Sequence, residues 1–471
     1  MYKTHMGNLR TKDLSKIGYL NDQLRSLVIN TVSKSFKHYS KQQLLDLLVA
    51  IKNNPEAYLA NEQTNKIAER IIGRVQGATY TVHNLVDEPV PVKIYGGKEI
   101  EQSAKRQMEL ARLLPVSVQG ALMPDAHMGY GLPIGGVLAT ENAVIPYAVG
   151  MDIGCRMALS IIDESEGFIK RYAYQIKQAL KNNTHFGMEG GLDIRQEHEV
   201  LESSIFDEIA FLKPLKGKAV RQLGTSGKGN HFVEFGEIEL FSDNTLGLPA
   251  KKYVALLTHS GSRGLGAAIA MHYTKIAMDR CKLPRHAQQL AWLDMDTEAG
   301  QEYWISMTLA GDYAKACHDR IHTNLLKALG LKSICMVDNH HNFAWKETLE
   351  DGKEVILHRK GATPAGIGEL GIIPGSMTAP AYLVSGKGNK DALYSASHGA
   401  GRAMSRKKAK DSMTSSTMKK LLSKSGVDLI GGTVEENPLA YKDIDLVMAA
   451  QKELVDVQGK FYPRIVRMHK D

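Results

Sequence analysis

The chain has 471 residues, 43% of them hydrophobic and 23% charged. This is ordinary globular usage and excludes disordered, collagenous and coiled-coil classes. Lys and Arg number 59 against 51 acidic residues, a formal charge of +8, which is a mild hint of a polyanionic partner. Cys155, Cys281, Cys317 and Cys335 form no C-x-x-C pair and no zinc-ribbon spacing, so they fit no disulfide framework. A reduced, cytoplasmic protein is expected. No apolar run approaches the roughly 18 residues that a membrane span needs, and no secretory signal is visible.

In chain order, residues 15 to about 75 read as helical. Leu24, Leu27, Val28 and Val32 recur at helical spacing. Leu44, Leu45, Leu47, Leu48 and Ile51 give a second apolar face, and Ile67, Ile71 and Ile72 a third after the breaker Asn54-Pro55. The reading is a helical N-terminal extension over 1–78, without evident chemistry, ahead of one large domain over 79–471. Short strands are expected at Tyr80–His83 and Val90–Tyr95, and a helix over Glu99–Leu114. Glycine-rich turns then alternate with β-like runs, among them Tyr253–Thr258 and Ser333–Val337. Two long helices follow from periodicity, one over about Leu265–Arg280 and one from the cap candidate Asp296 to Leu329. These elements do not alternate as βαβ units, so the expected class is α+β, with mixed sheets. The polar stretch Ser405–Lys420 is either a solvated helix face or basic surface near a polyanion.

Chemistry concentrates in a few places. In Asp152-Ile-Gly-Cys155 a carboxylate and a thiol, three apart, can point the same way on a helical turn or across a tight turn. Both ligate metals once ionised, and a thiolate can bridge two ions. His231, His259, His341 and His398 each stand in glycine-rich or polar surroundings, at the edge of strand-like runs. Glycine leaves room there for backbone N–H groups to meet an anion. His127 is either a fifth member or a turn residue. Arg263 follows His259 by four, Arg402 follows His398 by four, and Arg406 comes four later. Arginine beside backbone amides suits phosphoryl oxygens, while the P-loop pattern is missing.

Nine ordered segments together resemble the RtcB-type RNA-splicing ligases. They are Pro124–Gly136, Val149–Cys155, Gly224–Phe232, His259–Gly264, His341-Asn342, Arg359–Ala362, Ile373–Met377, Ser397–Arg402 and Ala440–Ile444. The resemblance covers about residue 80 to the end. It implies a large catalytic domain with a central metal cleft. The implied activity is a GTP- and manganese-dependent RNA ligase joining 3′-phosphate or 2′,3′-cyclic-phosphate ends to 5′-hydroxyl ends, in tRNA splicing or RNA repair. By position it implies Asp152, Cys155, His231, His259 and His341 as ligands of two manganese(II) ions, with Cys155 as the bridge. His398 is the implied guanylylated residue. Asn230, Phe232, Glu234, Ser376, Gly399, Ala400, Gly401, Tyr441 and Lys470 match positions around the nucleotide, and Arg263, Arg402 and Arg406 match phosphate contacts. The implied partners are RNA (tRNA halves or broken RNA ends) and GTP, with room for an accessory activator protein and no membrane.

Ala381, where the family usually has Ser, Pro364 in place of a common Arg, the ending Lys470-Asp471, and Pro146-Tyr-Ala-Val before the Asp-x-x-Cys motif all depart from the family pattern. None of them falls on the metal set or His398. Softness alone favours zinc for a Cys/His set; the resemblance implies manganese. Two competing readings use the same residues less fully. A binuclear phosphoesterase acting on RNA ends needs neither His398 nor GTP, and an RNA-end-binding protein leaves the Cys and His set without a purpose.

Overall fold

The computed structural model describes residues 9, 11–19, 22–36, 38–72, 80–165 and 167–470. Two compact units divide the chain, Met1–Thr81 and Val82–Asp471. In the first, helices span Thr11–Lys16, Asp22–Ser35, Lys41–Asn53 and Asn65–Ile72. A capping box starts the third: Ser40 Oγ accepts from Gln43 N, and Gln43 Oε1 accepts from Ser40 N. The run toward Pro55 ends it. Leu14, Val28, Leu44, Leu48, Ile51 and Ile67 form the core of this unit. The boundary expected at 78/79 lies outside the described residues.

The second unit mixes sheets with helices, in keeping with the α+β class. Its larger sheet runs in the order Ser333–His340, Arg156–Ile162, Lys252–Ser260, Phe232–Leu240, Val455–Met468, Ala381–Gly386, Leu370–Ile373. Asp428–Ile430 adds to Val455–Met468 in parallel. A second sheet runs Asn342–Thr348, Glu354–Lys360, Ile134–Thr140, Ser117–His127, Val92–Ile94. Strand Lys252–Ser260 shows why these segments read as unbroken apolar runs. Tyr253, Ala255 and Leu257 enter one core while Val254 and Leu256 enter another, so both faces are covered. Ile321 and Leu325 of the helix Glu298–Leu329 close the second of these cores.

Several expected boundaries shift. The long helix begins at Glu298, and Thr297 is its cap, accepting from Gly300 N. Asp296 instead accepts from the Asn142 amide at 2.7 Å. The other long helix starts earlier than expected, at Arg263. Glu99–Leu114 resolves into a 3₁₀ turn, Gly97–Glu99, and a helix, Gln102–Ala111. Among the described residues, no helix is long and apolar enough to cross a membrane.

Candidate active site

Four neighbouring strands of the larger sheet end at the same edge, and each delivers one side chain. Cys155 precedes Arg156–Ile162, His231 precedes Phe232–Leu240, His259 nearly ends Lys252–Ser260, and His341 follows Ser333–His340. The registers His340↔Arg156, Arg156↔Ser260 and Phe232↔His259 align these ends. Antiparallel neighbours lie about 4.8 Å apart, so strand pairing alone gathers residues that are scattered along the chain.

Asp152 joins them across a tight turn, closed by Cys155 N to Asp152 O at 3.1 Å. The helical-turn alternative is not used. Ser262 N donates to Asp152 Oδ1 at 3.1 Å, and His231 Nε2 lies 2.9 Å from Oδ2. Cys155 Sγ is 3.2 Å from His259 Nε2 and 3.5 Å from His231 Nε2. His259 Nε2 is 3.3 Å from His341 Nε2.

The proton count shows what this cluster suits. His259 Nδ1 sits 3.0 Å from the Asn230 carbonyl, which only accepts, so Nδ1 carries the proton and Nε2 is a bare lone pair. Burial, reinforced by His231, pushes the His259 ring down to about 3. Burial, with His398 next, pushes His341 well below its ordinary value. Both rings are therefore neutral near pH 7. Burial opposes ionisation of Asp152, but the hydrogen bond and charge of His231 outweigh it and hold the carboxyl at about 2. Burial and Asp152 together push the Cys155 thiol well up, so a thiolate here requires a cation beside it. A sulfur, ring nitrogens and a carboxylate converging at these distances make a donor set that can hold a cation. Sγ and the ring nitrogens of Cys155, His231 and His259 lie within 4.8 Å of one another, and His231 Nδ1 has no hydrogen-bond partner.

His398 follows the strand Ser395–Ser397, with its ring centroid 4.9 Å from that of His341. Its Nδ1 is 2.6 Å from Asp125 Oδ2, and the same oxygen accepts its backbone N–H at 3.2 Å. Asp125 has no exposed surface. A carboxylate there fixes the proton on Nδ1 and leaves Nε2 as the free lone pair.

His398 and the Asp/Cys/His cluster line one cleft of about 520 Å³, within the usual range of small-molecule sites. Asn230, Phe232, Glu234, Ser376, Gly399, Ala400, Gly401, Arg402, Arg406 and Tyr441 line it too, as does Ala381. His127 also faces it, with Nδ1 on the Asp125 carbonyl. Burial pushes the Glu234 carboxyl up to about 8. Arg402 is held by Glu436 at 3.0 Å and lies over the Tyr441 ring. Two expected residues stand elsewhere. Arg263 does not line the cleft; it is buried behind His231 and Asp152, donating to Thr225 Oγ1 at 3.1 Å and to the Gly187 carbonyl. Lys470 is exposed and does not line the cleft.

Among the lining or supporting residues that were not candidates from sequence are Asp125, Asn342, Lys360 and Glu436. Asp125, Asn342 and Lys360 stood inside segments already singled out, Pro124–Gly136, His341-Asn342 and Arg359–Ala362. Burial pushes Lys360 down to about 7, and its ammonium reaches the carbonyls of Tyr130 and Tyr147. Glu436 is 1% exposed and takes bonds from Arg402 and the Tyr441 hydroxyl; no motif marked it.

The family model described as "tRNA-splicing ligase RtcB" matches residues 107–215 and 206–469. The RNA-splicing ligase RtcB of Escherichia coli K12 is 33% identical, over 79% of this chain and 96% of its own. The tRNA-splicing ligase RtcB of Nanoarchaeum equitans is 30% identical, over 78% of this chain and 92% of its own. With the matched residues spanning the Cys/His cluster and His398, the chain belongs to the RtcB family of tRNA-splicing ligases.

Proposed function

We propose that the protein is a GTP- and manganese-dependent RNA ligase that joins 3′-phosphate or 2′,3′-cyclic-phosphate ends to 5′-hydroxyl ends, in tRNA splicing or RNA repair. The observation that carries this reading is one cleft lined by two separate groups of residues. It contains a Cys/His/Asp cluster suited to cations and, beside it, a histidine whose Nδ1 is tied to a buried carboxylate.

Cys155, His231 and His259, with Asp152 and His341, would hold two manganese ions, which when bound supply Lewis-acid stabilisation of phosphoryl oxygens. His398 Nε2 attacks the α-phosphorus of GTP; the N–P bond forms as the α–β bridging P–O bond breaks and pyrophosphate leaves. Asp125 keeps the Nδ1 proton in place through that attack. A 2′,3′-cyclic phosphate is first opened by water to the 3′-phosphate and a free 2′-hydroxyl, and an RNA 3′-phosphate oxygen then displaces His398 and takes GMP. The phosphate now has a good leaving group, so the 5′-hydroxyl of the other end attacks it, loses its proton, and releases GMP. Glu234 accepts from the N–H edge of guanine, while Arg402 and Arg406 face the phosphates. We place the reaction in the cytoplasm, because all four cysteines are unpaired.

Intact-protein mass after incubation with GTP and manganese, paired with metal analysis, tests the reading. Wild type should gain a GMP-sized mass. His398→Ala should keep its metal and gain none, with ligation reduced by orders of magnitude. A surviving adduct in His398→Ala would show that another residue is the nucleophile. A metal-dependent phosphatase activity with no adduct in wild type would favour the phosphoesterase.

A further inference from the structure

The segment 405–424 carries seven basic side chains and one acidic one, Asp411, a local charge of +6 in a chain whose total is +8. It folds as two short helices, Arg406–Ser412 and Ser415–Lys424. Ser405 caps the first on Lys408 N, and Thr414 caps the second on Thr417 N. One face is committed to packing. Ala409 is buried, and Met418 and Leu422 cluster with Met377, Val466 and Met468. Those last three residues line the cleft, as does Arg406. The hairpin is therefore mounted on the wall of the cleft.

Its other face is cationic. Lys407, Lys408, Lys410, Lys419, Lys420 and Lys424 are exposed. Among the described residues, the segment's one ion pair is Arg406 to Glu436, at 3.9 Å. This arrangement works against the helices themselves. Arg406 and Lys410 are four apart, as are Lys420 and Lys424, and like charges at that spacing repel. The first turn of the first helix holds Arg406, Lys407 and Lys408, where the helix dipole disfavours cations. A surface shaped for solubility alone would intersperse both signs. An anion laid along the hairpin relieves every one of these repulsions.

We propose that this helical hairpin is the surface on which the phosphate backbone of the RNA lies, outside the cleft, while the broken end enters past Arg406. The inference rests on the RNA-ligase reading and adds the part of that substrate which the cleft is too small to hold. Lysine contacts to phosphate carry no base information, so the surface serves RNA of any sequence and its affinity depends on salt.

The test is the quadruple variant Lys407→Gln, Lys408→Gln, Lys419→Gln, Lys420→Gln, which leaves the cleft and the apolar contacts in place. The probe is a fluorescein-labelled RNA hairpin of about 30 nucleotides with a 3′-phosphate overhang, read by anisotropy across a potassium chloride series. GMP-adduct formation without RNA is read on the same protein. The expected result is unchanged adduct formation and an approximately tenfold higher dissociation constant near physiological salt. The slope of log affinity against log salt should fall by about 3, the share of four phosphate contacts. Unchanged affinity and slope overturn the proposal and leave the hairpin to an acidic protein face. Lower affinity with an unchanged slope overturns it as well. If the variant also loses the adduct, Lys→Arg at the same four positions must restore affinity and slope, or the proposal fails. A wild type that binds with this salt dependence yet forms no adduct would sink the ligase reading and keep the surface.

Discussion

At the scale of single residues, the proposed reaction depends on two buried carboxyls, Asp125 and Glu234. Asp125 Oδ2 takes both the backbone N–H and Nδ1 of His398. Asp125→Asn removes the charge that fixes the ring tautomer. The rate of GMP-adduct formation should fall about 100-fold or more, with metal content unchanged; a near-wild-type rate would make Asp125 structural only. Cys155→Ser should instead lower manganese content and abolish the adduct along with it. Glu234 carries a pH signature. Its carboxyl is pushed up to about 8 by burial, so the carboxylate that the proposed reading offers to guanine grows in as pH rises toward that value. GMP affinity measured from about pH 6.5 to 8.5 should therefore increase, and Glu234→Gln should flatten the curve. The candidate nucleophile and the candidate ligands could be picked out in the sequence because glycine-flanked histidines and an Asp-x-x-Cys turn are local patterns. Asp125 was not, since its partner is 273 residues away. The structure also turns Arg263 toward the Gly187 carbonyl, a fate its spacing from His259 gave no sign of.

At the scale of elements, the site is built where strands end and glycines let loops close in. Gly401 has φ 71, and a Cβ there would lie 2.1 Å from the Asp125 carbonyl oxygen. At Gly261 a Cβ would lie 2.1 Å from Asp152 Oδ1. The two positions give contrasting outcomes. Gly261→Ala should displace the Asp152 carboxylate and lower metal content, whereas Gly401→Ala should keep metal and lose the adduct by shifting His398. Metal analysis and intact mass on both variants check this; equal metal loss in both would show one undivided site. Periodicity found the long helices, but the start of the second moved from Asp296 to Thr297. Both are capping residue types, and only the backbone geometry decides which hydroxyl or carboxylate reaches the amide at the third helical position.

At the scale of the whole molecule, buried neutral histidines tie stability to pH. His358 is fully buried, its Nε2 accepts from Ile145 N at 2.9 Å, and burial pushes it down to about 4. His322 is likewise pushed down to about 4 by burial, between Ser160 and Thr258. In the unfolded chain both titrate near 6.5. Between about 6.5 and 4 the unfolded chain binds protons that the folded one does not, so stability falls as pH falls through that window. Each contributes a loss of about 2 kcal/mol between pH 7 and 5. Urea unfolding at several pH values should show that decline, and His358→Gln should make it shallower; equal midpoints at pH 7 and 5 would contradict the assignment.

The sequence by itself determined the kinds of groups and the local turns that present them. It supplied a thiol three residues from a carboxylate, histidines beside glycines, apolar runs long enough for doubly covered strands, and a cluster of lysines between capping hydroxyls. These are properties of neighbours along the chain, which side-chain chemistry and backbone freedom fix directly. Only the tertiary structure decided which of them meet. Sheet order put the ends of four strands, from Cys155 to His341, at one edge. Packing buried Asp125 under His398, withdrew Arg263, and set the basic hairpin against the cleft wall through Met418 and Leu422. Such long-range pairings depend on register and burial summed over the whole fold, which no local pattern carries.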